Sequence, residues 1–193
     1  YALVRACEYG SARWMALCGA LIGFGFLAKM MQAFLVLPIF GLIYLCVAPN
    51  PLKKRIVGLV VGLLTTVVAA GWWVAIVELI PADKRPYIGG SQNNSIVELI
   101  LGYNGLGRLT GNEVGSVGGG GGPGGGQGSG WGETGITRMF NTEIGGQVSW
   151  LIPAALILGV ASLWLLRKEK RTDSTRTGIL IWGGWLVFTG LVF

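Results

Sequence analysis

Lys29 is the side chain whose position most clearly suggests chemistry. The sequence GFLAKMMQ places it inside an otherwise apolar run of more than thirty residues. A lysine at membrane depth is costly and usually faces a bundle interior or a polar cavity. It could hold a lipid phosphate, or it could snorkel to the nearby head groups. Glu78, near the outer end of the third apolar run, is either its partner or a snorkelling carboxylate, and the sequence leaves these alternatives open.

A second polar stretch, RPYIGGSQNNS at 85–95, directly follows one of the most apolar runs of the chain. It gathers an arginine, a tyrosine, a glutamine and two asparagines around a Gly-Gly pair. These groups could meet a lipid-linked ligand near the membrane, or they could only satisfy one another in a re-entry loop. Ser95 has the position of a helix cap, which predicts a short amphipathic helix from about Ser95 to Gly102.

The elements that must position these residues are membrane helices. Apolar residues make up 52% of the chain and charged residues 12%, and the apolar residues fall into long runs. Backbone polar groups in lipid must be paired within each segment, so the runs are predicted to be helices. We therefore expect an all-α, polytopic membrane helix bundle. The five predicted spans are 14–28, 30–48, 56–80, 148–166 and 178–193.

The distribution of basic residues predicts the orientation of the spans. Ten of the fifteen lysines and arginines precede the first span, precede the third span, or separate the fourth from the fifth. If the spans alternate, these connections share one side, which is cytoplasmic by the positive-inside rule. Residues 1–80 and 148–193 are then transmembrane helices, and 81–147 form an extracytoplasmic loop. The predicted location is the plasma membrane, crossed several times.

The long loop has an unusual middle. Residues 102–135 hold 17 of the 34 glycines, which predicts a flexible insert over about 115–135. A phosphate-binding loop is disfavoured because no Gly-Lys-Ser/Thr follows.

Composition also limits the chemistry. The chain has no histidine, which excludes imidazole catalysis and histidine metal sites within it. Cys7, Cys18 and Cys46 lack metal-binding spacing and are predicted to be small buried apolar residues. The chain starts without methionine and stops within an apolar run, so we expect it to be part of a larger membrane protein. No metal, cofactor or nucleic acid is expected.

Three separated motifs resemble actinobacterial members of glycosyltransferase family 39. They are GALIGFGFLAKMMQAFLVLP, then RPYIGGSQNNSIVELILGYNGLGRLTG, and, after the glycine-rich insert, GITRMFNTEIGGQVSWLIPAAL. The family is related to the dolichyl-phosphate-mannose protein mannosyltransferases and to the aminoarabinose transferases that modify lipid A. The resemblance implies a GT-C-type membrane enzyme that inverts the sugar carbon. Such an enzyme moves a sugar from a polyprenyl-phosphate donor to a protein, lipid or glycan acceptor at the outer face.

The resemblance also implies roles for particular residues. The acidic catalytic residue of the family lies in an earlier outer loop, so this chain should supply donor contacts and part of the acceptor wall. An anionic leaving group needs fixed positive charge, and sugar hydroxyls need paired donors and acceptors with an aromatic platform. The candidate phosphate contacts are Lys29, Arg85, Arg108 and Arg138. The candidate sugar contacts are Tyr87, Gln92, Asn93, Asn94, Tyr103 and Asn104.

Two other classes of function remain open at this stage. A transporter or lipid flippase would require ionisable residues near the bilayer midplane and paired broken helices. A non-catalytic membrane scaffold could keep the same fold without the catalytic loop. The expected partners of the glycosyltransferase are membrane lipids, the lipid-linked donor and the acceptor.

Overall fold

The computed structural model describes residues 1–102, 105 and 150–192, and the regular elements of these residues are helices. The predicted all-α fold is therefore confirmed. The glycine-rich insert at 115–135 lies outside the described residues. The elements, numbered along the described residues, are α1 Ala2–Tyr9, α2 Ala12–Lys29, a 3-10 helix Met30–Val36, α3 Leu37–Val47, α4 Leu52–Leu79, α5 Ile96–Leu101, α6 Leu151–Leu165, a 3-10 turn Leu166–Lys168 and α7 Ser174–Val192.

Within the described residues, four helical runs are long and apolar enough to cross a membrane. They are Ala12–Val47, Leu52–Leu79, Leu151–Lys168 and Ser174–Val192. The first run contains the predicted span 14–28 and all but the last residue of the predicted span 30–48. Its helical path is interrupted at Met30, where φ is +48°. A positive φ is unfavourable for a side-chain-bearing residue, so it ends α2 and lets the chain change direction.

Contacts between the helices give their directions. Ala16 and Gly19 of α2 contact Thr65 and Thr66 of α4 in the same order along both helices, so these two helices run parallel. Tyr44 of α3 instead lies against the beginning of α4. Because the connection between α3 and α4 is short, α3 runs antiparallel to α4, and α2 and α3 form a hairpin with its bend at the Met30 break.

Small residues allow α2 and α4 to approach closely. A Cβ placed on Gly19 would collide with the backbone of Gly62, and one on Gly23 would lie 2.6 Å from the Cβ of Ala69. The Thr66 hydroxyl is buried in the seam and donates to the Gly19 carbonyl at 3.0 Å. Close backbone approach through small residues, with hydroxyl bonds across the seam, is typical of membrane helix pairs.

The short connections meet at one end of the bundle, here called the basic end (residues 1–13, 48–55 and 167–176). The Asn50 side chain donates to the Gly10 carbonyl, and the Arg171 guanidinium donates to the Ala48 carbonyl at 2.8 Å. The opposite end, here called the loop end, comprises residues 29–36 and 78–102. The alternation of ends that the basic residues predict is thus matched by the contacts between connections.

The cysteines of the first helices are only partly as predicted. Cys7 and Cys18 are buried, whereas Cys46 is exposed on α3, so its predicted burial is wrong. Cys7 packs in the core cluster beside the fully buried Tyr44, and burial raises the pKa of its thiol to about 12. The sequence of an apolar helix does not show which of its faces packs against the bundle, so the exposure of Cys46 could not be predicted from it.

Candidate functional site at the loop end

An apolar cluster ties the end of α2 to the polar stretch at 85–95. Its buried members are Phe26 of α2, Ala70 of α4, and Ile96 and Ile100 of α5. The phenyl rings of Phe26 and Phe34 stack with centroids 4.9 Å apart, which joins the 3-10 helix to the same cluster. Burial of these side chains holds α5 against the end of the helix pair. The loop end is therefore a packed surface with polar groups on it.

The predicted helix at 95–102 is confirmed as α5, and its cap forms as expected. The Ser95 hydroxyl accepts from the Glu98 backbone N–H at 3.3 Å. The Glu98 carboxylate in turn accepts from the Asn93 backbone N–H at 2.9 Å. This arrangement is close to a capping box, which satisfies the free N–H groups of the first turn from both sides.

Glu78 is the residue that fastens this cap to the bundle. Its Oε1 accepts from the Ser95 hydroxyl at 2.6 Å and from the Val97 backbone N–H at 3.1 Å. Its Oε2 lies 2.8 Å from the guanidinium of Arg85. A single carboxylate thus joins the end of α4 to the start of α5 and to the preceding loop. Its ionic partner in the described residues is Arg85, so neither alternative left open by the sequence, a pair with Lys29 or a snorkelling carboxylate, describes Glu78.

Arg85 is engaged almost completely by the protein itself. Besides the carboxylate of Glu78, its guanidinium donates to the Glu78 carbonyl at 2.6 Å and to the Asn94 carbonyl at 3.1 Å, and its Nε donates to the Ile80 carbonyl. Its side chain is only 8% exposed. A guanidinium has five N–H donors, and four of them have partners here. These contacts give Arg85 a structural role, and its contact with a donor phosphate stays a prediction.

Asn94 is also turned inward. Its φ is +52°, a left-handed conformation that asparagine tolerates better than most residues. The side-chain oxygen accepts from the Ile88 backbone N–H at 2.7 Å, and the amide nitrogen donates to the Ala82 carbonyl at 3.1 Å. Asn94 therefore closes the loop that carries Tyr87 and Gln92. Its predicted sugar contact is not tested by these bonds.

The remaining predicted site residues that the structure describes point outward. Lys29 is the last residue of α2; its side chain is exposed and has no ion pair or hydrogen bond within the described part of the chain. Tyr87 is 85% exposed, and Gln92 and Asn93 are exposed on the same loop. The structure thus separates outward groups from the inward pair Arg85 and Asn94. The predicted residues outside the described part are Tyr103, Asn104, Arg108 and Arg138.

Sequence reasoning did not identify Glu78 and Ser95 as the fastening pair. The Ser-x-x-Glu spacing from Ser95 to Glu98 revealed the cap. No local pattern connects Ser95 to a carboxylate 17 residues earlier, because that contact depends on how the chain folds back over the end of α4.

The fold and the loop end describe a polytopic membrane protein with a polar, membrane-proximal surface on one side. Comparison with known proteins shows which kind of membrane protein the chain is similar to. Residues 1–74 match the family described as dolichyl-phosphate-mannose-protein mannosyltransferase. The resemblance predicted from the sequence, to glycosyltransferases related to such enzymes, is confirmed over this part of the chain.

Two relatives from Bacillus subtilis (strain 168) carry mannosyltransferase names. The chain is 46% identical over 113 residues to "Putative mannosyltransferase YkcB", and 46% identical over 114 residues to "Putative mannosyltransferase YycA". Each alignment covers 58% of this chain and 16% of the relative. The chain thus spans about one-sixth of the length of the curated relatives it matches. No solved structure matches the chain.

Proposed function

We propose that this chain forms part of an integral membrane glycosyltransferase that moves a sugar from a polyprenyl-phosphate donor to an acceptor. The loop end faces outward in this proposal, and the basic end faces the cytoplasm, in the plasma membrane, as its excess of lysine and arginine favours. The acidic catalytic residue belongs to a part of the whole protein that this chain does not include. The family match over residues 1–74 and the two mannosyltransferase relatives support this assignment.

One observation carries the site proposal. Lys29 ends α2 with its ammonium exposed and without a counter-ion in the described residues, while the charge of nearby Arg85 is neutralised by Glu78. An unpaired cation beside the membrane surface is what a lipid-linked phosphate requires. The charge-assisted contact would strengthen as the phosphate leaves the sugar, which is how such a group promotes transfer.

The sugar-binding proposal follows from the exposed groups of the 85–95 loop. Tyr87 offers an aromatic face, and Gln92 and Asn93 offer amide donors and acceptors for sugar hydroxyls. Their supporting loop is held by Arg85, Asn94 and Glu78. We assign these inward residues to positioning, so that the outward groups keep a fixed geometry against the donor.

A transporter or flippase is less well supported. Among the described spans, charged residues lie in the first or last turns of the helices or at the hairpin bend, as Arg13, Lys29 and Glu78 do. Transport across the bilayer generally relies on ionisable groups near its midplane.

The proposal predicts a specific loss in Lys29→Met. Methionine keeps bulk and apolarity but removes one charge-assisted contact, so use of the donor should weaken by about 10- to 150-fold. The measurement is mannose transfer from a polyprenyl-phosphate-mannose donor by the purified full-length protein, as a function of donor concentration.

Lys84→Met is the matched control, because Lys84 is an exposed lysine of the same end whose side chain makes no bond in the described residues. Its donor dependence should stay within about twofold of the unmodified protein, since exposed surface charges contribute little. Equal donor dependence in Lys29→Met and in the unmodified protein, at matched thermal stability, would remove Lys29 from the site.

A further inference from the structure

The basic end has features that glycosyl transfer at the loop end does not use. Hydrogen bonds from Asn50 to Gly10 and from Arg171 to Ala48 draw three connections into one surface. This surface contains ten lysines and arginines and only three acidic residues, Glu8, Glu169 and Asp173.

Most of this positive charge has no acidic partner among the residues that the structure describes. Within the described residues, Arg5 has a carboxylate partner, Glu8, at 2.9 Å. Hydrogen bonds with Tyr1 and with Glu8 raise the pKa of the Arg5 guanidinium above its ordinary value. Arg13, in contrast, is exposed and makes no ion pair or side-chain hydrogen bond in the part of the chain that the structure describes. The surface therefore keeps free cations available for an anion outside the chain.

An open groove of about 590 Å³ lies beside Arg13. It is lined by Tyr9, Ser11, Arg13, Trp14 and Leu17. The Trp14 ring packs edge-on against Tyr1, with centroids 5.7 Å apart, which fixes one wall of the groove.

The lining of the groove changes from basic to apolar along α2. Arg13 and Leu17 are one helical turn apart on the same face, so a cation is followed by an apolar side chain about 6 Å further into the span. Leu17 is 44% exposed. Tryptophan and tyrosine beside the cation are the residues typical of the boundary between head groups and acyl chains.

We infer that this groove binds an anionic phospholipid, with the head-group phosphate at Arg13 and Ser11 and an acyl chain along Trp14 and Leu17. The net positive surface supplies charge complementarity, because anionic lipids are attracted to juxtamembrane cations. The apolar end of the groove selects a lipid over a soluble anion. This site lies at the opposite end of α2 from Lys29 and does not depend on the proposed glycosyl transfer.

The test uses the full-length protein in a neutral detergent, titrated with short-chain phosphatidylglycerol or phosphatidylcholine, with bound lipid counted by native mass spectrometry. Phosphatidylglycerol should bind more tightly than phosphatidylcholine. Loss of one direct charge-assisted contact with the phosphate corresponds to about a tenfold change in affinity, so Arg13→Gln should weaken phosphatidylglycerol binding about tenfold. Arg13→Lys should restore most of it, and phosphatidylcholine binding should change less, because its choline cation offsets the charge of its phosphate.

Lys170→Gln is the matched control, because Lys170 is an exposed cation of the same surface that does not line the groove. It should change phosphatidylglycerol binding less than twofold. Leu17→Gln, which leaves every charge in place, should also weaken binding if the acyl chain occupies the groove. Equal losses in Arg13→Gln and Lys170→Gln, equal binding of the two lipids, or full competition by glycerol phosphate would each overturn the assignment.

Discussion

Helices α2 and α4 meet through small residues and hydroxyl bonds, whereas α6 buries none of its side chains in the described structure. In the first pair, Gly19 and Gly62 allow the backbones to touch, and Thr66 bonds across the seam at 3.0 Å. In α6, a Cβ added to Gly159 would meet nothing within 4 Å. Glycine thus permits close helix packing in α2, whereas Gly159 of α6 lies on an open helix surface.

The difference shows which part of the chain acts as the scaffold. The α2–α4 pair carries Lys29 at the end of one helix and Glu78 at the end of the other, so its rigidity sets the distance between the two groups. The apolar faces of α6 are free to face lipid or other segments, and they position none of the described candidate site residues. Substitutions that disturb the first pair should therefore cost more than equivalent substitutions in α6.

The largest expected effect is that of Gly19→Leu. The Cβ of the new leucine would overlap the backbone of Gly62, and that backbone cannot move aside unless α2 and α4 separate. We expect a loss of about 3 kcal/mol in the free energy of unfolding, at the upper end of the usual overpacking range. The measurement is unfolding of the purified full-length protein by sodium dodecyl sulfate in mixed micelles.

Gly159→Leu is the matched control for this substitution. It places the same side chain on an open helix surface, so it should change stability by less than about 1 kcal/mol. If both leucine variants lost stability equally, the distinction between the two helix regions would be lost.

A smaller and more local effect is expected for Glu78→Gln. The amide would set its own N–H donors against the donors of Arg85 and would leave that guanidinium without its counter-charge. The equilibrium constant for opening of the cap should rise by about tenfold or more. Hydrogen exchange should accelerate at the amides of Val97 and Ile88, which hydrogen bonds to Glu78 and Asn94 now protect.

Asp83→Asn serves as the control for the cap, because Asp83 is an exposed acid of the same loop end that makes no side-chain bond in the described residues. Its exchange rates should match those of the unmodified protein. Unchanged exchange at Val97 in Glu78→Gln would mean that the apolar cluster alone holds α5 in place.

The smallest expected effect has the opposite sign. Gly159→Ala adds a methyl group where nothing lies within 4 Å, and it reduces the conformational entropy of the unfolded chain. Stability should rise by about 0.5–1 kcal/mol in the same unfolding assay. A marked loss would show that α6 packs tightly against another segment of the whole protein. In that case α6 would be a closely packed helix, as α2 and α4 are.

Much of the architecture could be predicted from the sequence because it depends on local composition. Hydrophobic run lengths indicated the helices, and the placement of basic residues indicated which connections share an end. The Ser95 cap and the limits of α5 followed from residue type and spacing within one turn. Lys29 at the hairpin bend was also predicted, since a charged residue divides two apolar runs at that position.

The tertiary structure decided which polar groups are available for chemistry. Arg85 and Lys29 are both cations near the same surface, but only folding reveals that Glu78 and three carbonyl oxygens already occupy Arg85. Asn93 and Asn94 are neighbours of identical type, yet the left-handed backbone of Asn94 turns its amide inward while Asn93 is exposed. Such choices depend on partners distant in sequence and on single backbone angles, whereas the spans depend on the water-to-lipid transfer energies of their own residues.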